Sequence, residues 1–296
     1  MIYILTTFIN ALNFMVPILL ASIGEILTER SGIVNIGIEG ILNLSAFTSA
    51  VAAFTTGNPF LGFVVGIATG ALLGLVHGVL STYLRGDQII IGIGVNIVSY
   101  SIGVLGLIAL WKQHGASPRI PSLPLISISE GLSISLLALV SPILAIAVWW
   151  FLTKTDIGLK IRACGEDPRA AEAMGIKVFR MQVMATVLGA MLSGVAGSYL
   201  VLGIVSQFVR GIAAGRGFIA LANVAFSGWN PLIAILGAYI FGFLDALAIS
   251  LQIAIGAIAL AYPLRMIPYI GTLAIVSMFR WRARAPRYLG KPYIKE

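Results

Sequence analysis

Near the start of the chain, inside an otherwise apolar stretch, Asn35, Glu39 and Asn43 recur every four residues, a spacing that lines one face of a helix. A carboxylate is costly in hydrocarbon, so it must face a bundle interior, a water-filled cavity or a hydrogen-bonding partner on another helix. Two readings stand side by side: a polar track for a solute or gate, and a buried clamp between helices. Asn96 with Ser99, Asn223 and Asp245 are further polar residues in apolar runs, and their types suit a neutral polar solute. Glu39 and Asp245 do not make the chain of carboxylates and histidines that proton pumps use, but they leave ion coupling open. His77, between Gly74 and Gly78, reads as a packing residue.

Other chemistry is missing from the sequence. A single cysteine, Cys164, and two histidines, His77 and His114, support neither a disulfide framework nor a Cys/His metal cluster. There is no G-x-x-x-x-G-K-[ST] phosphate loop, no G-x-S-x-G elbow and no H-E-x-x-H pair. No catalytic residue and no bound cofactor is therefore expected, and any energy source must come from elsewhere. Gly92-Ile93-Gly94, inside an apolar run, is helix packing and not a dinucleotide site.

The elements that must position these residues follow from composition. Of 296 residues, 59% are hydrophobic and 10% charged, with a mean hydropathy of +1.00. Soluble domains carry about 25% charged residues, and a chain of this length still exposes roughly a quarter of its unfolded surface, so the apolar excess must face lipid. A span needs about 20 residues. Nine candidates lie near 4–26, 33–55, 60–84, 88–111, 136–153, 181–203, 215–229, 232–252 and 262–280, the fifth and seventh being short. The expected fold is one all-α, polytopic transmembrane bundle over residues 1–296, with about eight to ten spans. Glycines such as Gly62, Gly66, Gly70, Gly74 and Gly78 suit close helix packing in lipid. A shift of 172 residues superposes Asn58-Pro59 on Asn230-Pro231 and Gly70 on Gly242, which an inverted repeat would produce.

The net charge of +8 raises the question of nucleic acid, but the basic residues flank apolar runs and are not gathered on a solvated face. Lys154, Lys160, Arg162, Arg169, Lys177 and Arg180 crowd a loop at 154–180; Arg280, Arg282, Arg284, Arg287, Lys291 and Lys295 crowd the tail, 281–296 with its flank. Placing both inside, with four crossings between them, puts 14 Lys and Arg in the cytoplasm and five outside (Lys112, Arg119, Arg210, Arg216 and Arg265). The N-terminus then lies outside and the C-terminus in the cytoplasm.

The loop holds a well-signalled short helix. Asp167 can cap it, Pro168 suits its first position, Ala170 to Met174 favour it, and Gly175 can close it in the left-handed conformation. The segment Gly165-Glu166-Asp167-Pro168-Arg169-Ala170-Ala171-Glu172-Ala173-Met174-Gly175 resembles the coupling loop of ATP-binding-cassette importer permeases of the branched-chain amino acid, ribose and nucleoside branch. Three further blocks resemble the same branch: Thr28 to Gly40, Gly215 to Ala222 with Gly228-Trp229-Asn230-Pro231, and Ala285 to Tyr293, the last as in nucleoside and simple-sugar permeases. The loop departs from the EAA-G pattern of other importer branches.

That resemblance implies a bacterial cell-membrane permease subunit that pairs with a second, similar permease. It further implies ABC ATPases that use ATP and Mg at the cytoplasmic face, and an extracytoplasmic binding lipoprotein. Residues 165–175 would be the coupling element, with Gly165 and Gly175 permitting its turns. Purine nucleosides lead as solute, with simple sugars or ribose as the variant. Recognition of a base would need an aromatic face, to which Phe14, Phe47 and Tyr100 can contribute. An ion-coupled carrier is the competing class, and a lipid-modifying enzyme lacks a catalytic cluster.

Overall fold

A computed structural model describes residues 2–129, 132–255, 261–264, 266–279 and 285–294, and helices dominate it. α1 (Ile2–Arg30), α2 (Ile38–Thr56), α3 (Pro59–Thr82), α4 (Gln88–Trp111) and α5 (Leu136–Lys154) precede two short helices, α6 (Asp156–Glu166) and α7 (Pro168–Ala173). α8 (Val178–Tyr199) runs into a π-helical turn, Leu200–Val205, and α9 (Arg216–Ser227), α10 (Pro231–Ile255), α11 (Ala261–Leu264) and α12 (Ile267–Phe279) follow. The all-α expectation holds with one small addition, a hairpin of β1 (Leu125–Ser129) and β2 (Leu132–Ser135) in which Ile126 faces Ile134. Asn13 of α1 holds it, donating to the Ser133 carbonyl and accepting from the Ser135 amide, each at 2.9 Å.

Among the described residues, seven helical segments are long and apolar enough to cross a membrane. The fifth expected span is a full 19-residue helix. The seventh and ninth are the short ones: α9 has 12 residues and α12 has 13. At about 1.5 Å per residue α9 covers only about 18 Å, too little to cross about 30 Å of hydrocarbon unaided.

Burial separates an inner from an outer layer. The α1 side chains Val16, Ile18, Leu19, Leu20, Ile23 and Ile26 are fully buried. α3, α4 and α5 expose Leu72 and Val76, Ile90, Ile97 and Leu105, and Ile143, Ile146 and Trp150, the surface a lipid-facing helix presents.

The centre of the bundle is a crossing of α1 and α8. A Cβ on Gly24 would stand 2.3 Å from the Gly189 carbonyl oxygen, and one on Gly189 would stand 2.3 Å from the Gly24 oxygen, so two backbones touch where any side chain would part them. α3 lies on α8 at Gly70 against Ala190 and Gly194, while α10 lies on α1 at Gly242 against Ala11 and Met15. Asn58 caps α3 by accepting from the Phe60 amide at 2.9 Å, and Asn230 accepts from the Leu232 amide at the start of α10 at 3.0 Å. α1–α3 and α8–α10 thus repeat one packing order in opposite directions, with α1/α8, α2/α9 and α3/α10 as counterparts. The inverted repeat read from two Asn-Pro turns is present.

One end of the bundle gathers Arg30, Arg85, the loop 154–178 and Trp229; the tail 285–294 joins them, the Tyr288 amide donating to the Gly165 carbonyl at 2.9 Å and the Gly290 amide to the Gly32 carbonyl at 3.0 Å. Loop and tail therefore share one end, as an even number of crossings requires. Arg265, Arg280, Arg282, Arg284 and Lys295 lie outside the described residues. Asn58, the hairpin and the beginning of α1 mark the opposite end.

Candidate functional site

α2 begins at Ile38, so Asn35 lies in the loop 31–37 and the expected face keeps only Glu39 and Asn43. The reason is local: the Asn35 side chain accepts from the Gly37 amide at 3.0 Å, an Asx turn that competes with helix, and Gly32 sits at φ 95. Glu39 meets the start of α9. Its Oε1 accepts from the Gly215 amide at 2.7 Å and its Oε2 from the Gly217 amide at 2.8 Å. Those are amides a helix start leaves unpaired, and the carboxylate also complements the helix dipole. Asn43 accepts from the Ala213 amide at 3.2 Å and donates to the Glu39 carbonyl at 2.9 Å. Between track and clamp, these contacts fill the clamp.

Asn96 and Asn223 are tied in the same manner. Asn96 accepts from the Gly40 amide at 2.6 Å and donates to the Ile36 carbonyl at 3.0 Å. It stands eight residues into α4, about 12 Å along the helix, which fixes the depth of Glu39 well inside the span. Asn223 donates to the Ser22 hydroxyl at 2.9 Å and the Ala234 carbonyl at 3.0 Å, while Ser99 is fully buried. His77 packs as expected, its Nε2 3.0 Å from the Val34 carbonyl.

The segment 206–215 joins the end of α8 to α9 without regular structure at membrane depth, where irregular backbone is tolerated only with its polar groups satisfied. Residues 115–123 supply much of that satisfaction. The Ser117, Ile120 and Leu123 amides donate to the Phe208, Ser206 and Leu202 carbonyls at 2.8, 3.0 and 2.9 Å, and the Arg210 amide donates back to Gly115 at 3.0 Å. Phe208 is seated between Gly103 and Phe47, whose ring it meets edge-on. Phe47 is thus core, not a free stacking face.

Beside this segment lies a cavity of about 400 Å³ bordered by α10 and α12. Asp245 reaches it, alone among the polar residues singled out in the sequence. Arg216 Nε and Nη2 both approach Asp245 Oδ2, at 3.0 and 2.9 Å, a largely buried ion pair. Tyr269 of α12 donates to the Ala214 carbonyl at 2.5 Å and keeps an exposed ring on the cavity. Tyr269 carried no sequence signal beyond being an aromatic in the last apolar run.

A buried acidic pair also escaped sequence reasoning. Glu25 and Glu29 stand one helical turn apart on α1, 2% and 6% exposed. Glu25 accepts from the Asn35 amide at 2.8 Å, and Glu29 accepts from the Trp229 indole. Arg30 Nη2 donates to the Trp229 carbonyl at 3.0 Å. The four-residue spacing was the available signal.

At the basic end α6 and α7 form an elbow. Asp167 caps α7 by accepting from the Arg169 and Ala170 amides, each at 3.0 Å, Pro168 takes the first position, and Gly175 closes the turn at φ 81. Gly165 acts differently from expectation. It turns nothing; a Cβ there would stand 2.3 Å from the Arg30 carbonyl oxygen, so it lets α6 dock on the end of α1. Glu166, Ala170, Ala173 and Met174 face outward, Met174 at 83% exposure, whereas Pro168 and Ala171 are buried and Glu172 accepts from the Tyr293 hydroxyl. Tyr293 packs with Cys164, Ala171 and Val178, and burial pushes the Cys164 thiol up to about 11. The tail thus straps the elbow.

A multi-pass bundle built on an inverted repeat, with a broken span and a cavity that carries a buried ion pair at membrane depth, defines a membrane permease by class. The family described as branched-chain amino acid transport system / permease component matches residues 7–277, and the chain belongs to it. The nucleoside ABC transporter permease protein NupC of Lactococcus lactis subsp. cremoris is 34% identical over 304 residues, covering 97% of this chain and 96% of its own. The guanosine ABC transporter permease protein NupQ of Bacillus subtilis is 34% identical over 306 residues, covering 96% and 95%. TsgC13 of Haloferax volcanii, provisionally named a glucose ABC transporter permease protein, is 35% identical over 246 residues, covering 79% and 74%.

Proposed function

We propose that this chain is the permease subunit of a nucleoside importer, purine nucleosides foremost, and that partner ATPases using ATP and Mg drive it. The near end-to-end likeness to two nucleoside and guanosine permeases carries this reading. The basic end is cytoplasmic, as the distribution of Lys and Arg favours, which puts the N-terminus outside and the tail inside. The outward residues of the elbow, Glu166 to Gly175, receive the ATPase, and the buried ones anchor it to α1 and the tail. The polar flank at Arg216 and Asp245 cannot face lipid. A second, different permease covers it, and solute delivered by an extracytoplasmic binding lipoprotein passes between the two. ATP binding biases which side of the pair is open.

The test uses the complex co-purified from its native membrane and reconstituted in vesicles. ATP-dependent guanosine uptake is expected, with Gly175→Pro or deletion of 168–174 abolishing it while membrane insertion persists. Unchanged uptake in those variants would remove the coupling assignment. Uptake of glucose or ribose without guanosine would favour a sugar permease, the reading supported by the Haloferax volcanii relative. Uphill transport by the isolated chain under an ion gradient would replace both with a secondary carrier.

A further inference from the structure

The cavity beside the broken span has the size and lining of a small-molecule site. Its volume, about 400 Å³, falls in the range of small-molecule sites, and its lining joins apolar walls to a few fixed polar groups. Asp245 lies 14 residues beyond Pro231, about 21 Å along α10 from the basic end, so the site sits within the hydrocarbon depth. Both Arg216 contacts fall on Asp245 Oδ2; among the described residues Oδ1 accepts no hydrogen bond. A largely buried carboxylate oxygen held beside a guanidinium, on the lining of a cavity, is an acceptor waiting for an O–H or N–H. Tyr269 is anchored by its hydroxyl to Ala214, so its ring stands fixed as a flat apolar wall. Gln252, seven residues and so two turns further along the same face of α10, adds an amide.

Resting on the nucleoside reading above, we propose that this cavity is a nucleoside subsite of the permease. The Tyr269 ring stacks on the base, and Asp245 Oδ1, held in place by Arg216, accepts from a ribose hydroxyl. A free sugar engages only the second element and a free base only the first. The whole nucleoside therefore binds best, and a 2′,3′-dideoxynucleoside loses the carboxylate contact.

The experiment follows uptake by the reconstituted complex and photolabelling by 8-azidoadenosine. Tyr269→Leu should raise the KM for guanosine roughly tenfold, about the size of one base–aromatic stack. Tyr269→Phe, which keeps the ring but loses its anchor on Ala214, should raise the KM less than Tyr269→Leu does. The photolabel should fall on peptides of α10 or α12 and be displaced by guanosine, but poorly by ribose or dideoxyguanosine. A guanosine KM unchanged in Tyr269→Leu, or a label confined to other helices, overturns the subsite while importer function stands. A parent complex that takes up no nucleoside defeats the underlying reading instead, and displacement of the label by ribose alone overturns the base-stacking assignment.

Discussion

The loops 31–37 and 206–215 are counterparts in the inverted repeat, each joining a central helix to its next partner, yet they are finished in opposite ways. Loop 31–37 is sealed. Gln182 donates to the Ser31 carbonyl at 3.2 Å, Gln88 accepts from the Val34 amide at 2.7 Å, and Glu25, His77 and Asn96 take further backbone groups, so no residue of that loop is exposed. Loop 206–215 is held on one side by Glu39, Asn43 and the segment 115–123, and on the other it leaves Val209, Arg210 and Ala214 exposed beside the cavity. A repeated scaffold thus supplies two breaks in the bundle, one covered and one lining a cavity.

The largest expected effect comes from cutting the hold on the open loop. Glu39→Ala strands the Gly215 and Gly217 amides, at a cost of about 2–5 kcal/mol. Hydrogen exchange should then rise across 206–218 and stay unchanged across 31–37; a rise in both would show that the two loops are not independently held. Next comes the central crossing. Gly24→Ala and Gly189→Ala each force a methyl onto the facing carbonyl oxygen, costing about 1–3 kcal/mol, and their Tm losses in detergent should match because the contact is reciprocal. Losses differing severalfold would refute the equivalence of α1 and α8. The smallest effect belongs to the paired caps: Asn58→Ala and Asn230→Ala should each cost about 1 kcal/mol, read as small and similar Tm shifts.

Much of the scaffold was legible because hydropathy, capping and charge act locally. The seven long helices stand where apolar runs place them, and α7 stands where Asp167, Pro168 and Gly175 place it. The Asn-Pro turns exposed the repeat. What stayed hidden depended on contacts distant in sequence. The spans read at 181–203 and 215–229 leave 204–214 as a connector, but nothing local shows that Glu39, Asn43 and residues 115–123 hold it. Asn35, Glu39 and Asn43 share a helical spacing, but a turn at Gly37 takes Asn35 off the helix. The strap formed by Tyr288 and Tyr293 over the elbow was invisible in a tail that reads as basic and polar.

The shortness of α9 has a bearing on biogenesis. A 12-residue segment that leaves the insertion machinery has no stable resting place in lipid of its own, and the acceptors that receive the amides at and just before its start, Glu39 and Asn43, were synthesised 170 to 178 residues earlier. The start of α9 therefore gains its place from residues made long before it, so α9 is expected to settle only once α2 is in position.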